Sequence, residues 1–248
     1  MSIDINCDMG EGMSNDAALM PFISSANIAC GGHAGDAYTM RKTVELCLEH
    51  NVAVGAHPGF KDKKNFGRMF VKLSPSELHD LIMSQLDELE LICTELGAEL
   101  HHVKPHGALY NAAANDPVMS YMLAKAVFDY NPYLIYFGLS GSCMISEAQK
   151  VGLQTVQEVF ADRTYQPNGL LTPRTNAKAL IEDENEMLNQ VLMMIRQNKV
   201  VAIDKSLVAI EVETICLHGD GEHALQFARA LHQRLKEEKI TIQAIQGK

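Results

Sequence analysis

The feature that most limits the fold of this chain is a repeating alternation along its whole length. Short apolar runs recur, each followed by polar, glycine-rich or proline-rich punctuation and then by a longer amphipathic stretch. Seven of these runs read as strands: Ile3–Cys7, Asn27–Cys30, Val52–Ala56, Leu100–Val103, Leu134–Gly138, Thr155–Phe160 and Thr214–Leu217. Strands separated by helix-length segments pair in parallel, because a crossover that holds a helix returns the chain in the same direction. The intervening helices carry signals of their own. Ser74-Pro75-Ser76-Glu77 is a capping box with proline at the first helical position. It opens a face of Leu78, Leu81, Ile82, Leu86, Leu89, Ile92, Cys93 and Leu96 that stops at Gly97. Asp116-Pro117 opens another helix, which ends before Pro132, and the segments from Asp183 to Asn198 and from Gly221 to Glu238 have helical periodicity. The expected architecture is an α/β-class (β/α) barrel of seven strands, one fewer than the common eight. Ile240–Ile245 fits an eighth strand or a tail packed outside, and an open doubly wound sheet is the alternative. With no linker, low-complexity tract or repeat, residues 1–248 read as one catalytic domain.

Charge and cysteine usage narrow the class of function. A net charge of −10 disfavours a nucleic-acid backbone or an anionic membrane as partner. The six cysteines form no CxxC pair or metal-knuckle spacing, and several lie inside apolar runs, which suits a reducing compartment. The N-terminus shows no signal-peptide pattern, and no apolar stretch has membrane-spanning length, so a cytoplasmic location is expected.

The chemistry lies in the punctuation. Asp8 follows the first strand, His33 and Asp36 the second, His57 the third, and Lys104 with His106 the fourth. Ser140 follows the fifth, Asp162 and Arg163 the sixth, and His218 and Asp220 the seventh. In a parallel barrel all these ends lie on one face, where barrel enzymes build their sites. Singly, each has an ordinary use: Asp8 and Asp36 as turn or cap residues, Ser140 as a helix entry, Asp162-Arg163 as an ion pair. The coincidence of histidines and charged residues at six strand ends is what points to a site. Asp8 and Glu11, three apart around glycines, fit a magnesium grip, but a turn with solvated acids is the default; Lys61-Asp62-Lys63-Lys64 reads as a solvated loop. There is no Walker phosphate loop, no GxGxxG fingerprint and no GxSxG elbow.

Several of these segments carry a family resemblance. Ser25-Ala26-Asn27-Ile28-Ala29-Cys30-Gly31-Gly32-His33-Ala34-Gly35-Asp36 and Gly55-Ala56-His57-Pro58-Gly59-Phe60 closely resemble the LamB/YcsF family. So do the segments from His102 to Asn111, from Glu158 to Arg163 and from Cys216 to Asp220, in the family's order along the chain. Gly32 and Gly59 are departures, standing where Phe and Ser are the commoner residues. The resemblance implies a seven-stranded barrel like those of glycoside hydrolases and polysaccharide deacetylases. It also implies hydrolysis of 5-oxo-L-proline to L-glutamate by a complex with two further subunits, B and C. ATP would be the co-substrate, with Mg²⁺ accompanying the nucleotide.

That reaction needs a base for water, a cation for phosphate or carboxylate, and a proton donor for the ring nitrogen. Asp8 or His57 fits the base, with Asp162 orienting a histidine. Lys104 and Arg163 fit the cations, and His106 and His218 the donors. His33, Asp36, Ser140 and Asp220 are expected to line the substrate site. Two other readings use the same residues: a metal-dependent deacetylase-like amidase, with Asp8, His33 and His57 as ligands, and a non-catalytic subunit that only positions substrate.

Overall fold

Strand β1 (Ser2–Met9) shows why a barrel forms. Its sequence alternates apolar and polar residues, and alternate side chains of a strand face opposite sides. Ile3, Ile5, Cys7 and Met9 are buried in the main hydrophobic cluster. Asp4, Asn6 and Asp8 are also buried, and they bond to side chains of other strands across the interior. Both faces are therefore covered, one by helices and the other by the rest of the cylinder.

The computed structural model describes residues 1–219 and 223–247. After β1 come β2 (Ser25–Ala29), β3 (Ala53–His57), β4 (Leu100–Val103), β5 (Ile135–Leu139) and β6 (Gln154–Phe160). The next crossover holds an antiparallel hairpin, β7 (Lys199–Val201) with β8 (Leu207–Ala209), and leads into β9 (Thr214–Leu217). Each barrel strand runs parallel to its neighbour, and β9 pairs with both β6 and β1. That last pairing, with Asp4 opposite Thr214 and Cys7 opposite Leu217, closes a seven-stranded parallel barrel and overturns the open-sheet alternative. All seven strands lie on the expected apolar runs, with small shifts at their ends.

The final apolar segment yields β10 (Thr241–Ile242), paired with Ser2 and Ile3. The carbonyls of Met1 and Ile3 accept from Thr241 and Gln243, and the carbonyl of Ile5 accepts from Ser24. Odd residues of β1 thus turn one edge first to β10 and then to β2. β10 continues that edge at the strand's start and takes no part in closure.

The helices are α1 (Asp16–Leu19), α2 (Ala37–His50), α3 (Pro75–Leu96), α4 (Gly107–Asn115), α5 (Pro117–Tyr130), α6 (Cys143–Val151), α7 (Glu184–Gln197) and α8 (Ala224–Glu237). The capping box at Ser74 is formed, with the Ser74 amide donating to Glu77 at 2.7 Å, and Gly97 ends α3 at φ +73°. Leu78, Leu81, Ile82, Leu86, Leu89, Ile92 and Cys93 bury the predicted face, each large side chain contributing about 1.5–3 kcal/mol. Asp116 caps α5, accepting from Val118 and Met119. Of the expected last helix, Gly221 lies outside the described residues, and α8 starts at Ala224.

The barrel interior is polar where the common pattern is branched apolar side chains. His102 lies across it, 2.9 Å from Asn27 Oδ1 and stacked on Phe137. Gly55 on β3 makes this possible, since a Cβ there would sit 2.0 Å from His102 Nε2. Gly32 has a similar cause. A Cβ there would lie 2.5 Å from Gln85 Oε1, and the Gln85 amide bridges the Gly59 backbone at 3.1 and 2.9 Å. The two glycine departures from the family pattern thus meet at one contact.

Candidate active site

Lys104 organises the interior just below the carboxyl ends of the strands. Its amide donates to Ala56 at 2.9 Å, which extends the β3–β4 ladder and turns its side chain inward like that of His102. The ammonium lies 2.8 Å from Asp8 Oδ1, 2.9 Å from Glu158 Oε1, 3.1 Å from Asn6 Oδ1 and 3.0 Å from Cys216 Sγ. An ammonium has three donors, so four acceptors leave none spare for an anion. The expectation that Lys104 is the cation for phosphate or carboxylate is corrected: acceptors from β1, β6 and β9 hold it at 2% exposure. Burial pulls its pKa down, but Asp8, Cys216 and Glu158 outweigh that and hold it well above the ordinary value. Burial likewise raises the Asp8 carboxyl, but His57 and Lys104 outweigh it and keep Asp8 well below the usual carboxylate range. Tyr110 donates to the other Glu158 oxygen at 2.7 Å.

Above this network three imidazoles meet. His57, the last residue of β3, has Nδ1 2.7 Å from the Lys104 carbonyl. His106, at the start of α4, has Nε2 2.9 Å from the Phe66 carbonyl. A carbonyl only accepts, so each ring carries its proton on that side. The remaining nitrogens, His57 Nε2 and His106 Nδ1, face each other at 2.9 Å. Asp8 Oδ2 lies 3.4 Å from His57 Nε2. His33 stacks on His106 with ring centres 3.5 Å apart, and its Nε2 lies 2.9 Å from Glu11 Oε1. Burial, followed by the charge of His57, pushes His33 down to about 2, and burial with His57 and His33 holds His106 well below its ordinary value. Both are neutral rings at physiological pH.

At the mouth, His218 Nδ1 sits 2.9 and 3.0 Å from the two oxygens of Asp162, and the His218 amide is 3.3 Å from Oδ2. Burial raises the Asp162 carboxyl, but His218 outweighs it and holds it low. This is the expected carboxylate-oriented histidine. Asp162 and His218 line a cleft of about 260 Å³ with Arg174, Glu182, His223 and Phe227.

Three other expected site residues have structural employment. Arg163 donates to the carbonyls of Ala179 at 3.2 Å and Thr172 at 2.6 Å, pinning the loop after β6. It forms no pair with Asp162 and leaves anion binding to another cation. The Ser140 hydroxyl accepts from the Glu211 amide at 2.8 Å, while Ser142 caps α6. Asp36 is exposed and caps α2 through Thr39 at 2.8 Å. Asp220 lies outside the described residues.

Some residues in or near the cluster were not expected there. Glu11, read as a solvated turn acid, is 8% exposed and touches the histidines. Asp8, expected beside His33 and His57 as a metal ligand, gives Oδ1 to Lys104 and Asn27 at 2.8 Å each, while Glu11 and His106 join those histidines. Asn27, Glu158 and Cys216 lie within the quoted motifs, and their period-two spacing with Ala29, Phe160 and His218 was the signal that they turn inward. Arg174 had no signal beyond its charge.

The comparisons agree with the motifs. A family model described as LamB/YcsF family matches residues 3–248. The 5-oxoprolinase A subunit of Geobacillus thermodenitrificans is 49% identical over 248 residues, covering 98% of this chain and 97% of that one. The lactam utilization protein from Thermus thermophilus, a crystal structure, has a TM-score of 0.92 at 38% identity, covering 99% of this chain and 100% of that one. The catalytic domain of a peptidoglycan N-acetylglucosamine deacetylase from Eubacterium rectale, at 10% identity and a TM-score of 0.53, shares the fold alone; it covers 98% of this chain and 88% of that one. With its barrel, its motifs in order and a family match over nearly its whole length, the chain belongs to the LamB/YcsF family.

Proposed function

We propose that this chain is the A subunit of a 5-oxoprolinase, opening 5-oxo-L-proline to L-glutamate with consumption of ATP together with subunits B and C. The observation that carries the chemistry is a convergence at one end of the barrel. An ionised Asp8 beside imidazole lone pairs, an Asp162–His218 dyad and a cleft with an arginine lie at the carboxyl ends of the strands. The name of the relatives supplies the substrate.

A lactam is an unactivated amide. Transfer of a phosphoryl group from ATP, accompanied by Mg²⁺, to the ring oxygen releases ADP and gives an O-phosphorylated imidate. Water adds to the ring carbon, and the carbon–nitrogen bond breaks as nitrogen takes a proton. The resulting acyl phosphate then yields phosphate to a second water. Asp8, His57 and His106 lie where the first water is activated, and His218, held by Asp162, delivers the proton to nitrogen. Arg174 takes the substrate carboxylate, because Lys104 and Arg163 are both engaged elsewhere. A cytoplasmic setting is supported by six free cysteines, five of them buried.

The chain has no Walker loop, so partner subunits are needed for phosphoryl transfer. Glutamate is to be measured from 5-oxo-L-proline and ATP with the chain alone and with B and C. Negligible product alone and steady product from the full set are expected. No product from the full set would overturn the substrate; rapid product from the chain alone would overturn the need for partners.

A further inference from the structure

We infer that Glu11, His33, His57 and His106 bind one divalent transition-metal ion. The site stands on geometry and holds whether or not the substrate is a lactam. Each of the four residues is buried and offers one ligand atom, and those atoms all lie within 4.8 Å of one another. The nearest separations are 2.9 Å for His57–His106 and His33–Glu11, 3.4 Å for His106–Glu11 and 4.0 Å for His57–Glu11. Ligands about 2.1 Å from a tetrahedral ion are roughly 3.4 Å apart. These four separations bracket that value; the whole set lies within 4.8 Å, so binding draws its widest pair in by up to about 1.4 Å and turns the His33 ring off its stack on His106.

The proton positions point the same way. His57 Nδ1 and His106 Nε2 are each fixed by a backbone carbonyl, which leaves two lone pairs facing each other at 2.9 Å. With both protons held on the carbonyl side, no hydrogen lies between the two nitrogens, and a cation there removes the repulsion. A carbonyl on the far nitrogen is also how metal-binding histidines are commonly oriented. His33 Nδ1 is buried with no hydrogen-bond partner, and Nε2 faces Glu11 at 2.9 Å, so an ion takes the place of the proton that the two now share. Three imidazoles and one carboxylate suit zinc, cobalt, nickel, manganese or ferrous iron better than calcium or magnesium, which prefer all-oxygen shells. Asp8 stays outside the set, its Oδ1 taken by Lys104 and Asn27, and its Oδ2 remains 3.4 Å from His57 Nε2.

The test uses the full-length chain, stripped by chelator and titrated with Co²⁺ and Zn²⁺. Metal analysis is expected to give one equivalent per chain, with visible cobalt absorption and a thermal midpoint that rises on metal addition. Glu11→Gln and His106→Ala, checked for folding by circular dichroism, are each expected to weaken binding by at least about tenfold. His79→Ala, at a half-buried histidine on α3, should bind as wild type does. X-ray absorption of the wild-type zinc form decides the matter without any variant, and a shell of three imidazoles and oxygen is expected. Substoichiometric metal in the wild-type chain, sulfur in the shell, or full binding by both folded ligand variants would overturn the site.

Discussion

Replacing His57 with alanine is expected to lower glutamate formation by the reconstituted complex by about 10²-fold or more, the lower end of what a group handling a proton contributes. The ring stands at the end of β3, its Nδ1 held by the Lys104 carbonyl and its Nε2 aimed at the point where Asp8, Glu11 and His106 converge. Removing it takes away that nitrogen and leaves the Lys104 carbonyl without its partner. Leaving that buried carbonyl unsatisfied costs about 1–3 kcal/mol, less than the stability of an ordinary fold, so the protein stays folded. A packing role alone would lower the thermal midpoint and leave kcat nearly unchanged. The account expects the opposite weighting, with kcat falling far more than KM changes. Measuring kcat, KM and the thermal midpoint on the same preparation separates them.

Lys104→Met is expected to be the most destabilising single change in the site, by about 3–5 kcal/mol, because it strands two buried carboxylates. Its pH dependence gives the sharper test. In the wild-type fold Asp8 is held below its ordinary 3.8. A lowered carboxyl stabilises the fold at pH values above its unfolded pKa, and that contribution is lost as pH falls through the folded one. Without the ammonium, the burial that opposes ionisation is met by His57 and, more weakly, His218, and the carboxyl moves up. Its charge then costs stability at neutral pH, and protonation relieves the cost as pH falls. The gap between wild type and variant should therefore be widest near pH 7 and shrink toward about pH 5. Denaturant unfolding at both values measures it, and an equal gap at both would show that Lys104 is not neutralising those acids.

The strands were legible because each is a short apolar run ended by polar, glycine-rich or proline-rich residues, a pattern that depends on a few neighbouring residues. The barrel's polar interior was legible in principle. In Ser-Ile-Asp-Ile-Asn-Cys-Asp-Met the polar residues fall on one face, and in a closed barrel with helices outside that face can only be the inside. Position along the chain identified His57, His106, Asp162 and His218 as strand-end residues. It did not reveal that Lys104 finds its acids on β1 and β6, because those contacts span 96 and 54 positions of sequence. Glu11 looked like a turn acid, and only the histidines brought over it by β2, β3 and α4 make it part of the cluster. The engagement of Arg163 with backbone carbonyls was hidden for a similar reason. The loop after β6 is built from isolated bridges, Arg163 with Leu180 and Tyr165 with Leu171, which leave no periodic trace in the sequence.

The central claim is that ring opening occurs where Asp8 meets the histidines. Asp8→Asn tests it most directly. It keeps the side chain's shape, leaves Lys104 paired with Glu158 at 2.9 Å, and removes one negative charge beside His57. In the complex with B and C, 5-oxoproline-dependent glutamate formation is expected to fall by about 10²-fold or more, with the assembly intact by size-exclusion chromatography. Wild-type turnover in that variant would contradict the account and put the chemistry elsewhere in the complex.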